Sequence, residues 1–223
     1  MYPYNLTVQN ILAITFPTFS RLQNNKKALK EAIETSLFFI SLVIFPILVG
    51  MSVFIVPLVD LIQKYNKWEP AIFSFVFFAL SIGWGAISTP LVNTLNAIGK
   101  INSSLKLMIF WTILTWILTP LFIWWFGFNG VALSSFVIAC TSFLPILMVK
   151  KTVPINAFEQ VWRQLVAAIV MGVVGFITIP YWSLNFRMLF IGMASIGLVY
   201  LIILTLVGRK KIELELAKVL HRK

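Results

Sequence analysis

The sequence predicts an all-α fold, a polytopic transmembrane helix bundle of about seven spans. Of its 223 residues, 60% are apolar and only 11% are charged, a balance that excludes an ordinary soluble domain. Long uncharged stretches alternate with short basic segments. Each stretch approaches or exceeds the roughly 20 helical residues that cross a hydrocarbon core. We therefore expect a membrane protein without a separate soluble domain.

The predicted spans follow one another between the charged segments. The first is short and carries Pro17 near its inner end, and the second contains Pro46 and Pro57, which predict bends. A turn at residues 126–130 divides one long uncharged stretch into two spans. The small residues around Gly172 favour close approach of another helix to the sixth span. The spans are residues 5–20, 35–59, 70–97, 107–126, 131–149, 164–182 and 188–208.

The distribution of lysine and arginine predicts the orientation of these spans. Alternate connecting segments place 15 of the 18 cations on one side of the bundle and 3 on the other. Because cationic loops resist translocation, the cation-rich side is expected to be cytoplasmic. The basic amphipathic tail, residues 209–223, then lies in the cytoplasm, and the N-terminus of this chain lies outside. We expect location in the inner (plasma) membrane, with membrane lipids as partners and no nucleic acid.

The first residues of the chain lack the basic n-region of a signal peptide. Residues 1–5 carry no charged side chain, although the charge distribution places this terminus outside. An outside N-terminus without a signal is expected of the C-terminal part of a longer chain.

The sequence shows no pattern typical of a catalytic or metal centre. No cysteine, histidine and carboxylate cluster has metal-site spacing, and no glycine-rich phosphate loop is present. Cys140, the single cysteine, lies in an apolar span, and His221, the single histidine, lies in the basic tail. No Asp, Glu, Lys, Arg or His falls within a predicted span, whereas ion-coupled transporters usually keep such a group there. We therefore predict that the chain is not an enzyme and uses no cofactor or metal.

The third span is the most polar, and its polar residues share one face. Gly85, Thr89, Asn93 and Asn96 fall within about 80° on a helical wheel. An amide that faces hydrocarbon is costly, so this polar face should turn toward protein or water in the bundle interior. Two interpretations are open: hydrogen bonds to a neighbouring helix, or a wet wall that faces substrate. Pro90, beside this face, should break or kink the helix.

Two tryptophans are further candidates for a substrate cavity. Trp84 and Trp116 lie near the middle of their spans, whereas most other tryptophans lie near span ends, where such rings anchor at headgroup depth. Mid-span rings either line a cavity or fill space between helices and toward lipid. The candidate cavity residues are therefore Thr89, Asn93, Asn96, Trp84 and Trp116.

Several motifs, in order, resemble one family. Residues 16–22 resemble the P-x-x-S-R turn that closes a helix in the polysaccharide/oligosaccharide (O-antigen type) flippases. These proteins belong to the multidrug/oligosaccharidyl-lipid/polysaccharide exporter superfamily. The segments at residues 45–51, 67–71 and 89–100 follow in the family's order, and residues 126–133 resemble its G-x-x-G-x-A turn. The chain thus resembles the C-terminal lobe of this superfamily.

The resemblance implies a function in cell-surface polysaccharide biosynthesis. Family members flip lipid-linked oligosaccharides (polyprenyl diphosphate glycans), including units of the O-antigen of lipopolysaccharide. This chain would correspond to spans eight to fourteen of a 14-span flippase. Its implied partners are the missing N-terminal lobe or another membrane subunit. The alternative from another class is a non-transporting membrane scaffold in an envelope glycan-assembly complex.

Overall fold

The computed structural model of the chain describes residues 15–62 and 67–220, and these residues include no strand. Residues 15–22 are helical, and the helices that follow are numbered in chain order. They are α1 (Lys26–Leu61), α2 (Ala71–Ala97), α3 (Ile101–Phe126), α4 (Asn129–Cys140), α5 (Phe143–Lys150), α6 (Ala157–Ile177), α7 (Ile179–Trp182) and α8 (Phe186–Leu220).

Six spans in the described residues are long and apolar enough to cross a membrane, which confirms the predicted helix bundle. They are Lys26–Leu61, Ala71–Ala97, Ile101–Phe126, Asn129–Lys150, Ala157–Ile177 and Phe186–Arg209. They correspond to the second to seventh predicted spans. Most of the first, residues 5–20, lies outside the described residues. The fifth predicted span corresponds to Asn129–Lys150, which combines α4 and α5. A turn at Thr141 and Ser142 separates these two helices.

Helix boundaries differ from the predicted spans where a charged residue had marked an end. Helix α3 begins at Ile101 and so contains Lys106, and α6 begins at Ala157 and contains Arg163. A long cationic side chain near a span end can extend its charge to the membrane surface, so it need not end the helix. Helix α6 ends at Ile177, and the predicted remainder of that span belongs mainly to α7.

Four prolines lie inside long helices of the described residues that continue on both sides of them. Helix α1 contains Pro46 and Pro57, α2 contains Pro90, and α3 contains Pro120. Helix α2 remains helical up to Ala97, so Pro90 does not break it. The carbonyl of Pro90 accepts a hydrogen bond from the Thr94 hydroxyl at 2.8 Å.

The chain divides into two compact units. Unit 1 comprises residues 1–44 and 70–160, and unit 2 comprises residues 45–69 and 161–223. Within unit 1, α4 packs against both α2 and α3. Polar side chains support this packing, because the Ser74 hydroxyl donates to Asn129 Oδ1 at 2.6 Å and the Trp111 indole donates to Thr141 at 2.9 Å.

The turn between α3 and α4 lies where its glycines predicted it. Gly127 has φ +59°, a backbone conformation that residues other than glycine rarely adopt. Gly130 approaches the end of α3 so closely that an added Cβ would lie 2.1 Å from the carbonyl oxygen of Phe122. Both glycines are therefore required by backbone geometry.

Small residues also bring α6 close to the second half of α1 within unit 2. A Cβ added at Gly172 would lie 2.9 Å from Val49 Cγ1, and one added at Gly175 would lie 3.0 Å from Val53 Cγ1. The close helix approach predicted for the sixth span is confirmed at these positions. Dispersion contacts between such closely packed helices stabilise a membrane bundle, where lipid offers no hydrophobic driving force.

Candidate functional site: the polar face of α2

The polar face of α2 is the part of its second half that the chain leaves uncovered. Between Gly85 and Ala97, nine residues are buried. The four that are not buried are Gly85, Thr89, Asn93 and Asn96, the residues of the predicted polar face. The chain therefore packs around this half of the helix on every side except the polar one.

The two asparagine amides on this face have no hydrogen-bond partner in residues 15–62 and 67–220. Thr89 satisfies its hydroxyl within the helix by donating to the Gly85 carbonyl at 2.7 Å. Asn93 and Asn96 are half-buried, and no comparable bond forms at either side chain in that part of the chain. Within the described residues, these amides therefore make no hydrogen bond to a neighbouring helix.

The environment of the polar face follows from the cost of an unpaired amide. Leaving an amide without a hydrogen bond in an apolar medium costs a few kcal/mol, on the order of 2–7. Two amides on one strip make a lipid-facing position unfavourable, whereas water or a polar ligand would satisfy both. A wet wall at this face stays a prediction. The polar side chains of this face, from Thr89 to Asn96, extend over about 10 Å, because seven positions separate them at about 1.5 Å per residue.

The tryptophan candidates lie apart from this strip. Trp84 is 37% exposed and precedes Gly85, which places it about 100° around α2 from the start of the polar face. Trp116 is 77% exposed on α3, a 26-residue helix in which only Ser104 and Leu107 are buried. Trp84 therefore lies on a different side of α2 from Asn93 and Asn96. A role for either ring in a cavity stays a prediction.

A second set of polar groups, on α6, had not been predicted. Five buried side-chain polar atoms in the described residues lack a hydrogen-bond partner, and four of them belong to Gln160, Arg163 and Gln164. The spacing of these residues by three and four positions was a signal for a shared helix face. The predicted sixth span begins only at Gln164 and so excludes Gln160 and Arg163, whereas α6 begins at Ala157. No group of metal-binding side chains occurs in the described part of the chain.

Known proteins resemble this chain in sequence and in fold. A family described as "Polysaccharide biosynthesis protein" matches residues 1–73. The solved structure titled "Lipid II flippase MurJ, inward closed conformation" matches the fold with a TM-score of 0.67 at 22% sequence identity. The match covers 95% of this chain and 45% of that one, so the chain spans less than half the length of this flippase. No curated protein matches the sequence.

These matches confirm the resemblance drawn from the ordered motifs. The family match includes the P-x-x-S-R turn at residues 16–22 and the segments at residues 45–51 and 67–71. The structural match extends over the remaining helices, including α2 and its polar face. The chain is a multi-pass membrane protein whose fold is similar to that of the flippase structure, and its first 73 residues match the polysaccharide biosynthesis family.

Proposed function

We propose that this chain takes part in moving lipid-linked oligosaccharides across the membrane for cell-surface polysaccharide biosynthesis. The observation that carries the proposal is the polar face of α2, the part of that helix's second half that is not buried. A strip with a hydroxyl and two amides that have no partner in the described residues, beside nine buried residues of the same half of the helix, provides the wall that a hydrophilic cargo needs. The sequence match to a polysaccharide biosynthesis family and the flippase fold support the same reading.

The chemistry of the strip suits a glycan. Each asparagine amide offers two donors and a carbonyl acceptor, and a sugar hydroxyl can both donate and accept. Neutral polar groups hold such a cargo through several modest hydrogen bonds, so binding need not be too tight for release. In this proposal the polar face contacts the sugar part of the lipid-linked cargo, and the lipid chain remains in the bilayer.

Translocation by alternating access needs two bodies that move about a shared central site. We propose that this chain supplies one body and that an N-terminal lobe, a second membrane subunit or a second copy supplies the other. The chain spans 45% of the flippase that it resembles, which fits one lobe of such a transporter. The opposing body would face the polar face of α2.

A deletion experiment separates transport from a scaffold role. Cells that lack this protein should accumulate the completed lipid-linked oligosaccharide in the inner leaflet, because synthesis continues while export stops. The measurement is extraction of the lipid-linked pool with determination of its sidedness in inside-out vesicles. Loss of the completed oligosaccharide itself would instead indicate a scaffold that supports assembly, and would contradict the proposal.

The proposed orientation places the basic connecting segments in the cytoplasm. In a Cys140→Ser background, cysteines introduced at Lys67 or Arg187 should react with an impermeant thiol reagent added outside intact cells. Cysteines at Lys27 or Lys151 should react only after the membrane is opened. The reverse pattern of labelling would refute the orientation.

A further inference from the structure

Arg163 is held in a fixed position at one end of unit 2. Its stem lies against α8, where a Cβ added at Gly208 would be 3.5 Å from Arg163 Cδ. Its guanidinium carbon lies 5.4 Å from the centroid of the Trp162 ring, within the range of a cation–π contact. The side chain is half-buried between these neighbours, so its charged end has a restricted range of directions.

The guanidinium has no acidic partner in the described part of the chain. The ion pairs there join Lys30 to Glu34, Arg209 to Glu213 and Lys211 to Glu215, and none includes Arg163. Arg163 Nε is buried without a hydrogen bond. The two terminal nitrogens make no hydrogen bond within the described residues and are not among the buried unpartnered atoms. They are therefore accessible from outside the protein.

The groups around Arg163 also indicate that it binds an anion. Lys211 lies one turn beyond Gly208 on α8, and Glu215, whose side chain is fully buried, neutralises it at 3.3 Å. That acid is therefore already engaged. Gln164, the residue after Arg163, is fully buried, and both polar atoms of its amide are unpartnered. This end of unit 2 thus holds a cation and a polar amide whose hydrogen-bonding capacity the described residues leave unused.

The depth of Arg163 identifies the chemistry of the ligand. Gly208 lies near the end of the apolar span Phe186–Arg209, and Arg163 Cδ lies beside it, so the guanidinium is expected at the depth of lipid headgroups. A guanidinium presents a planar fork of N–H donors that matches phosphate oxygens, and such charge-assisted bonds are the strong ones. Phosphate is the anion that every phospholipid headgroup and every polyprenyl diphosphate carries at this depth.

We propose that Arg163 is a binding residue for the phosphate of a lipid at this membrane surface. The inference does not require that the chain transports anything. Two sources share the chemistry: the headgroup of an anionic phospholipid and the diphosphate of a lipid-linked glycan. Either phosphate would accept hydrogen bonds from the guanidinium, whose position is set by the contacts with Trp162 and α8.

The test is native mass spectrometry of the purified full chain in detergent, titrated separately with phosphatidylglycerol, undecaprenyl diphosphate and phosphate-free diacylglycerol. Arg163→Gln should weaken binding of a phosphate lipid about tenfold or more, since a charge-assisted bidentate contact is lost. Arg163→Lys keeps the charge without the fork and should weaken it about threefold. Arg187→Gln, the matched control, removes an exposed cation near the other end of α8 and should leave affinity unchanged.

Each outcome decides the proposal. Weaker binding of undecaprenyl diphosphate alone would assign the site to a lipid diphosphate. Weaker binding of both phosphate lipids would assign it to headgroup phosphate in general. If Arg163→Gln does not fold, the Arg163→Lys variant decides. Equal affinities for wild type and the folded Arg163 variants, or equal losses with Arg187→Gln, would overturn the proposal.

Discussion

Leucine at Asn93 or Asn96 should reduce glycan export about five- to tenfold while the amount of folded protein stays unchanged. A sugar hydrogen bond lost from either amide is worth about 1–1.5 kcal/mol, which corresponds to roughly a five- to tenfold change. Folding should tolerate both changes, because neither side chain is buried and neither makes a hydrogen bond within the described residues. The measurements are surface polysaccharide per cell and the thermal stability of the purified variants.

Two control variants accompany this prediction. Asn185→Leu, an exposed residue outside α2, should leave both export and folding intact. Thr94→Leu changes a fully buried neighbour of Asn93 and should lower the yield of folded protein, because the enclosed side of α2 has no room for a larger group. Full export in both single asparagine variants would exclude a cargo-facing role for this strip. Loss of folded protein would show that the amides serve packing instead.

Gly130→Ala should destabilise unit 1 by about 3 kcal/mol, the upper part of the usual range for overpacking. The added methyl group would lie 2.1 Å from the Phe122 carbonyl oxygen and 2.6 Å from the Ile123 nitrogen. Both are backbone atoms, so no side chain can rotate away, and α3 and α4 would have to separate. Thermal unfolding of the purified protein in detergent, followed by circular dichroism, measures the loss.

Gly197→Ala is the control for this change. It makes the same substitution in the middle of α8, where an added Cβ would meet nothing within 4 Å. Alanine is the better helix former, so this variant should be equal to the wild type or slightly more stable. Equal stability of the Gly130 and Gly197 variants would contradict the close approach of α3 and α4.

Much of the fold could be predicted because membrane helices depend on local rules. The uncharged stretches located six spans, and the glycines of residues 126–130 located the α3–α4 turn. The spacing of Gly85, Thr89, Asn93 and Asn96 identified a shared polar face. The sequence could not show which sides of α2 the other helices cover. That depends on packing, and the structure adds that the chain encloses this half of α2 on all but its polar side.

The same limit explains what was missed on α6. A rule that ends a span at the first charge placed Arg163 in a loop, whereas its long side chain lets the helix begin at Ala157. Trp84 and Trp116 illustrate the opposite case. Their mid-span position predicts either a cavity wall or a space-filling role, and the choice depends on how helices pack around α2 and α3. Trp84 is 37% exposed and Trp116 is 77% exposed.

In the proposed mechanism, a lipid-linked oligosaccharide crosses the membrane along the polar face of α2. The most direct measurement reconstitutes the chain with an N-terminal lobe, covalently joined or as a separate subunit, in proteoliposomes that contain a fluorescent lipid-linked oligosaccharide. Chemical quenching of the outer leaflet then reports translocation. We expect flipping by the combination, none by the monomeric chain alone, and a loss of about tenfold or more with Asn93→Leu and Asn96→Leu together. Undiminished flipping by the double variant, or no flipping by the wild-type combination, would contradict the account.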